Sequence, residues 1–262
     1  MDSFTITLPQ IVFICVMIFF SGFVDSVAGG GGLISISAYL FVGMPTHMAM
    51  GCNKVSAAAG TTFAAVRFFA NGALSVRTAL ISATASFIGS GLGTRLALLI
   101  PDRTLKLVFI AVLPFVAVFL LTKHDYGETN NADSLSSRRA FLLSVLIGFL
   151  IGGYDGLLGP GTGTFAIIAY CTLMKYDLKT ASGNAKVLNL ASNCASAITF
   201  LLSGNVLFAA AIPAALCGIA GGYIGSGLAI KKGARFIRPM MTAVIALLLG
   251  KLAYDLYLSF MG

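Results

Sequence analysis

Charge is scarce in this chain. Only 10% of its 262 residues are Asp, Glu, Lys or Arg while 58% are hydrophobic, a balance that excludes an ordinary water-soluble domain. A bilayer is the solvent that fits. Histidine is scarcer still, and two residues are too few for a dedicated metal site. Five cysteines, Cys15, Cys52, Cys171, Cys194 and Cys217, show no CxxC or Cys/His spacing, so they read as small buried apolar residues. No ATP-binding loop is present, which leaves active transport to an ion gradient or a partner. No basic residue precedes the first apolar run and Asp2 has the wrong sign for a leader peptide, so that run is expected to be a retained membrane segment. The basic clusters lack interleaved aromatics, which argues against nucleic acid as a partner.

What is present is a series of apolar segments with a cause for each break. They cover 8–24, 33–42, 50–70, 76–100 and 105–121, then 140–154, 165–174, 187–202, 206–230 and 237–258. Gly43 with Pro45, Asn71-Gly72 and Pro101-Asp102 interrupt the first group. The one long polar stretch, 123–139, reads as a solvated linker. The net charge of +8 gathers in short connections, at Arg95, Arg103 and Lys106 and again at Lys231, Lys232, Arg235 and Arg238. Such clusters mark cytoplasmic loops.

Sliding the second half over the first by about 130 positions superposes Asp25 on Asp155, Gly29 on Gly159 and Gly31 on Gly161. A further shift of about two superposes Gly51 on Gly183, Lys54 on Lys186, Gly89 on Gly221 and Gly93 on Gly225. The expected fold is therefore an all-α integral membrane protein of two homologous repeats, 1–122 and 140–262, a design that places binding sites where repeats meet. Each repeat carries a glycine-interrupted helix, either one discontinuous span or a re-entrant pair. The first option gives eight spans with parallel repeats, both basic clusters on one side and both termini outside, and the positive-inside pattern favours it. The second gives ten segments and inverted repeats.

Two interrupted runs hold the residues that point to chemistry. Asp25-Ser-Val-Ala-Gly-Gly-Gly-Gly32 and Asp155-Gly-Leu-Leu-Gly-Pro-Gly-Thr-Gly163 each join a carboxylate to a glycine run inside apolar sequence, an expensive feature in hydrocarbon. Glycine runs let backbone N–H groups converge on an anion, above all where they open a helix. Gly29, Gly30, Gly31, Gly32, Gly159, Gly161, Thr162 and Gly163 are the candidate binding residues from these runs. Asp25 and Asp155 have two open roles, proton coupling or fixing the helix break by accepting loop N–H bonds. Lys54, after Asn53, and Lys186 open the next helices, where a lysine either snorkels or faces a site. Lys186, Asn189, Asn193 and Ser196 share one helix face, and Asn53, Ser56 and Thr61 form a poorer counterpart. Arg67 is a further candidate. Gly89, Gly91, Gly93, Gly221, Gly222, Gly225 and Gly227 read as a packing face.

At these residues the chain resembles the TauE/SafE family of sulfite exporters, in its YfcA-like branch. The resembling stretches are Gly22-Phe-Val-Asp-Ser-Val-Ala-Gly-Gly-Gly-Gly-Leu33, Gly51-Cys-Asn-Lys54, Tyr154-Asp-Gly-Leu-Leu-Gly-Pro-Gly-Thr-Gly163 and Asn184-Ala-Lys-Val-Leu-Asn-Leu-Ala-Ser-Asn193. Where relatives often carry proline after the first glycine run, this chain has Ser35-Ile-Ser37. The resemblance implies a multi-pass inner-membrane permease or exporter for small sulfur-containing anions, not an enzyme, with no cofactor and with homodimerisation left open. Rival readings are a soft-metal permease using Met44, His47, Met48 and Met50, and an intramembrane aspartyl protease built on Asp25 and Asp155.

Overall fold

The computed structural model describes residues 5–101, 104–105, 127–243 and 246, and these are helical with no strand among them. The elements are α1 (Leu8–Ala28), α2 (Gly31–Phe41), α3 (Thr46–Ala70), α4 (Val76–Leu99), α5 (Ser137–Leu157), α6 (Thr162–Thr172), α7 (Leu178–Leu202) and α8 (Phe208–Lys232), with a short 3-10 turn at Ala132–Ser134. The first four helices have 21, 11, 25 and 24 residues and the next four 21, 11, 25 and 25. By length and composition α1, α5, α7 and α8 can each cross a membrane. Most of the expected segments 105–121 and 237–258, with Arg103 and Lys106, lies outside the described residues.

Local chemistry sets the boundaries. Thr7 donates its backbone N–H to Gln10 Oε1 at 2.9 Å, so the entry to α1 is capped. Asp177 accepts from the amides of Lys179 and Thr180 at 2.9 and 3.0 Å, which starts α7 well before the apolar run at Val187. The polar residues in between are still helical because they face inward. Gly29 ends α1 at φ 79°, and its N–H returns to the Asp25 carbonyl at 2.8 Å. A left-handed cap of this kind is glycine's role.

The interrupted units are hairpins. Gln10 Nε2 donates to the Val42 carbonyl at 3.3 Å and Phe13 stacks on Phe41 with ring centroids 5.3 Å apart, so α2 runs back along α1. In the second unit the Asn131 amide donates to the Lys175 carbonyl at 2.9 Å, which brings the end of α6 back beside the start of α5. Each unit therefore folds back on itself where the favoured expectation was a single discontinuous span. Left-handed glycines, Gly29 in the first unit and Gly159 with Gly161 in the second, reverse the chain where a helix break in line would have extended it.

Fixed directions give the bundle two ends. At one, the Ser75 amide meets Asn184 Oδ1 at 3.0 Å, Thr78 meets Tyr176 at 2.8 Å and the Leu178 amide meets the Gly127 carbonyl at 3.0 Å. That end carries Arg77, Arg138, Arg139, Lys175, Lys179, Lys231, Lys232, Arg235 and Arg238 against Glu128, Asp133 and Asp177. At the other end, His47 Nε2 bonds the Ala97 carbonyl at 3.1 Å and the Leu207 amide reaches Cys52 Sγ at 3.3 Å. There Arg95 is the single charged residue among those described. Arg95 therefore lies opposite the 231–238 cluster, not beside it, because α4 runs away from the basic end.

The fourth helix of each group packs on the other group: α4 lies on α5 and α7, and α8 lies on α1 and α3, while α3 crosses α7 at the centre. Glycine makes the close approach possible. A Cβ on Gly148, Gly152 or Gly156 of α5 would stand 2.3, 2.5 or 2.1 Å from the carbonyl of Ser82, Ser86 or Ser90 on α4. Gly221 and Gly225 of α8 face the Phe19 and Phe23 carbonyls of α1 in the same way, at 2.0 and 2.5 Å. The expected packing face is thus real except at Gly91, which faces open space.

Candidate functional site

The two hairpin tips touch. Gly163 N–H donates to the Gly29 carbonyl at 3.1 Å and Thr164 Oγ1 donates to the Ala28 carbonyl at 2.8 Å. A Cβ on Gly29 would fall 2.2 to 2.5 Å from the backbone of Gly163 and Thr164, so the contact exists because both tips are glycine. It brings the N-termini of α2 and α6 to one region, where first-turn amides have no intrahelical acceptor.

Around the tips sit two ion pairs, each crossing between the halves of the chain. Lys54 of α3 meets Asp155 Oδ2 at 2.7 Å and also donates to the Asp155 carbonyl at 2.6 Å. Lys186 of α7 meets Asp25 Oδ2 at 2.9 Å and donates to the Asp25 carbonyl as well. Both ammonium groups are buried, which removes the snorkelling alternative. The carboxylates accept these ammonium groups, and at Asp155 two hydroxyls, in place of the loop N–H bonds expected of a helix-break aspartate.

The pairs differ in what surrounds them. Thr162 Oγ1 donates to Asp155 Oδ1 at 2.9 Å and Ser192 Oγ to Oδ2 at 2.6 Å, and the aspartate side chain is 7% exposed. The Asp25 side chain is 25% exposed, and Lys186 is its one side-chain donor among the described residues. In the sequence register that pairs the halves, Thr162 corresponds to Gly32, Ser192 to Gly60, Ser196 to Ala64 and Ser86 to Gly218. At Thr162, Ser192 and Ser196 the second half places hydroxyls where the first has glycine or alanine, and at Ser86 and Gly218 the order is reversed.

That missing volume is the cavity. It measures about 50 Å³ and is lined by Gly32, Gly60, Ala64 and Gly218, with Asp25, Asn53, Lys54, Ser56, Thr61, Asp155, Asn189 and Asn193. Gly29, Gly159, Thr162 and Gly163 complete the rim from the tips. At roughly 10–15 Å³ for each water-sized group it has room for a solute of a few heavy atoms. Asn189 is 4% exposed and its Oδ1 has no hydrogen-bond partner, an unmet demand that a bound solute or water would satisfy.

Other candidates fall elsewhere. Gly30 and Gly161 cap α2 and α6 without lining the cavity, and Gly31 packs on the Ser21 carbonyl. Ser35 bonds the Gly31 and Gly32 carbonyls at 3.2 Å and leaves α2 unbroken. The face of α7 divides, with Ser196 turned to Ser90 and Thr94 of α4 at 2.7 and 2.8 Å. Arg67 leaves the site altogether: it donates to the Tyr223 carbonyl at 2.6 Å and lies 4.1 Å from that ring's centre. Among the described residues no group of three His, Cys, Asp or Glu forms, Met44 and Met50 are buried in the core, and Met48 packs beside it. Sequence reading missed Ser82, Ser86, Ser90, Thr94 and Ser192, all fully buried and hydrogen-bonded. Their signal was a hydroxyl at every fourth position of α4, the spacing of one helix face.

A buried polar cavity inside membrane-length helices, closed by charges from both halves, is the architecture of a membrane transport protein. The chain belongs to the sulfite exporter TauE/SafE family, whose sequence description matches residues 14–252. It is 34% identical over 237 residues to a probable membrane transporter protein of Haemophilus influenzae, covering 90% of this chain and 92% of that one. A probable membrane transporter, ORF9, of Sinorhizobium is 34% identical over 244 residues, covering 93% and 92%. The probable membrane transporter YfcA of Escherichia coli K12 is 32% identical over 237 residues, covering 90% and 86%. No solved structure gives a significant match.

Proposed function

We propose that this protein is a secondary transporter for small sulfur-containing oxyanions such as sulfite or organosulfonates, bound in the cavity between its two halves. One observation carries the reading: the rim of a buried cavity is formed by two glycine-opened helix N-termini, the Lys54 ammonium and the side chains of Asn53, Asn189 and Asn193. Helix N-termini and an ammonium favour negative charge, and amide N–H groups match acceptor oxygens. Rotation of the Asn189 amide about its last torsion turns its N–H groups inward. The cavity volume suits a solute of sulfite size.

The matched helix lengths and the opposed directions of the two groups support an inverted duplication, with the binding site at the repeat interface. The basic end then faces the cytoplasm of an inner-membrane protein. No enzymatic role is proposed, since each carboxylate is engaged by a lysine and the two do not pair as an acid–base dyad.

The test is ligand-induced stabilisation of the detergent-purified protein by sulfite, methanesulfonate, taurine, sulfate and acetate. A true ligand at a hundredfold excess over its dissociation constant adds about 2.7 kcal/mol. Stabilisation by a soft metal ion and by none of the oxyanions would overturn the proposal.

A further inference from the structure

The two carboxylates are equivalent in sequence and unequal in surroundings. Asp155 is held at both oxygens by Lys54, Thr162 and Ser192, so a proton placed on it would compete with three donors at once. Asp25 is held at one oxygen by Lys186, is the more exposed carboxylate, and lines the cavity. The positions that would supply it with hydroxyls are Gly32 and Gly60. Each lysine also donates to its aspartate's main-chain carbonyl, so Lys186, like Lys54, keeps an acceptor there when the carboxylate is neutral.

Charge balance makes this difference consequential. At rest the site holds Lys54, Lys186, Asp25 and Asp155, two positive and two negative charges, and is neutral. A monoanion entering so small and buried a space brings an uncompensated charge, which is costly in a low-dielectric interior. Neutralising Asp25 removes that cost and leaves the Lys186 charge to balance the anion.

We propose, resting on the oxyanion reading above, that Asp25 carries one proton across the membrane with each monoanion, making transport an electroneutral anion–proton symport in which Asp155 stays fixed. A proton from the water on the loading side forms an O–H bond at the Asp25 carboxylate as the anion enters. That bond breaks on the other side, the proton returns to water, and the Lys186–Asp25 pair reforms. The surrounding groups permit this assignment. On α7, Lys186 faces Asp25; on α3 and α5, Lys54 and Asp155 share the cavity but hold each other; and Arg67 of α3 is committed to Tyr223 of α8. Tyr39 of α2 is bonded to Ser56, and the cavity linings from α2, α6 and α8 are glycine, serine and threonine.

The experiment uses the full chain reconstituted in phosphatidylcholine–phosphatidylglycerol vesicles, with methanesulfonate as probe because its sulfonate stays ionised across the working pH range. A proton-sensitive dye inside reports internal pH. Wild-type protein is expected to accumulate methanesulfonate by about tenfold for each unit of inwardly directed pH gradient, to acidify the lumen in step, and to ignore a potassium–valinomycin potential. Asp25→Asn is expected to lose gradient-driven accumulation and lumen acidification while still exchanging labelled for unlabelled methanesulfonate, with a flat pH profile. Asp25→Glu restores the carboxylate and the coupling, which separates a proton role from misfolding. Methanesulfonate transport without lumen acidification, or acidification unchanged in a well-folded Asp25→Asn protein, overturns the inference and leaves the oxyanion reading standing. Absence of wild-type transport for methanesulfonate and sulfite alike overturns both.

Discussion

The Lys54–Asp155 and Lys186–Asp25 pairs place the same two residue types at matching points of a repeated sequence, and they are built to different ends. Around Asp155, Thr162 and Ser192 complete the carboxylate's hydrogen bonding. Around Asp25, Gly32 and Gly60 leave space, and the space is the cavity. The fold in this way holds one ion pair as a sealed junction between halves and leaves the other beside the cavity. The difference lies in side-chain volume, not charge.

The strongest break of this comparison is to remove each cation in turn. Lys54→Met leaves the sealed Asp155 charge with hydroxyls alone, and stranding a buried partner costs about 3–5 kcal/mol. Lys186→Met leaves a carboxylate that the cavity can hydrate, so the protein is expected to fold and to lose oxyanion transport. Melting of the two purified variants in detergent checks the ordering, and equal melting temperatures would erase the distinction drawn between the pairs.

Next in size are the hydroxyls that seal the second pair. Thr162→Val and Ser192→Ala each remove a bond to a charged group, worth about 1.5–3 kcal/mol. The matching change in the first half has nothing to remove. Chemical denaturation of each single variant and of the double variant measures the effect, with coupling expected because the two donors share one carboxylate.

Much of this molecule was legible in its residues. Helix ends marked by Gly43, Asn71-Gly72 and Pro101 fell within a few positions of their expected places, since glycine and proline act locally. The start of α7 did not, because Lys179, Thr180, Ser182 and Asn184 read as loop where Asp177 in fact caps a helix with a polar inward face. The repeat register linked Lys54 with Lys186 and Asp25 with Asp155, but not lysine with aspartate. Those partners lie 101 and 161 positions apart, and no periodicity reports a contact that only the meeting of two hairpin tips creates. The direction of α2 was equally hidden: a glycine run licenses a reversal and a continuation alike, and the contacts of Gln10 and Phe13 decide between them.

A smaller intervention sharpens the comparison by rebuilding the second half's chemistry in the first. A Cβ at Gly32 meets its nearest atom at 3.6 Å, ordinary van der Waals contact, whereas one at Gly60 would stand 2.8 Å from the Gly218 carbonyl. Gly32→Thr is therefore the tolerated mimic of Thr162. It is expected to shift stability by no more than about 1 kcal/mol, the net worth of one hydrogen bond, while slowing transport because Asp25 gains a second donor and the cavity loses volume. Flux in reconstituted vesicles, set against melting, distinguishes this from simple misfolding.

The smallest effect on the fold is expected at Asn189, which has a counterpart in Ala57 and so belongs to the asymmetry itself. Its Oδ1 is buried without a partner, so Asn189→Leu removes an unmet polar group of similar size and breaks no hydrogen bond to that atom. Stability should change by less than about 0.5 kcal/mol, and an increase is the more reasonable sign, because relieving an unsatisfied buried group is favourable. Oxyanion binding should behave in the opposite way: losing one hydrogen bond of about 1.4 kcal/mol raises the dissociation constant about tenfold. Calorimetric titration with sulfite beside a thermal melt reads both numbers on one sample. A variant that melts lower and binds as tightly as wild type would show that Asn189 holds the helices together, and would move the solute away from the face of α7.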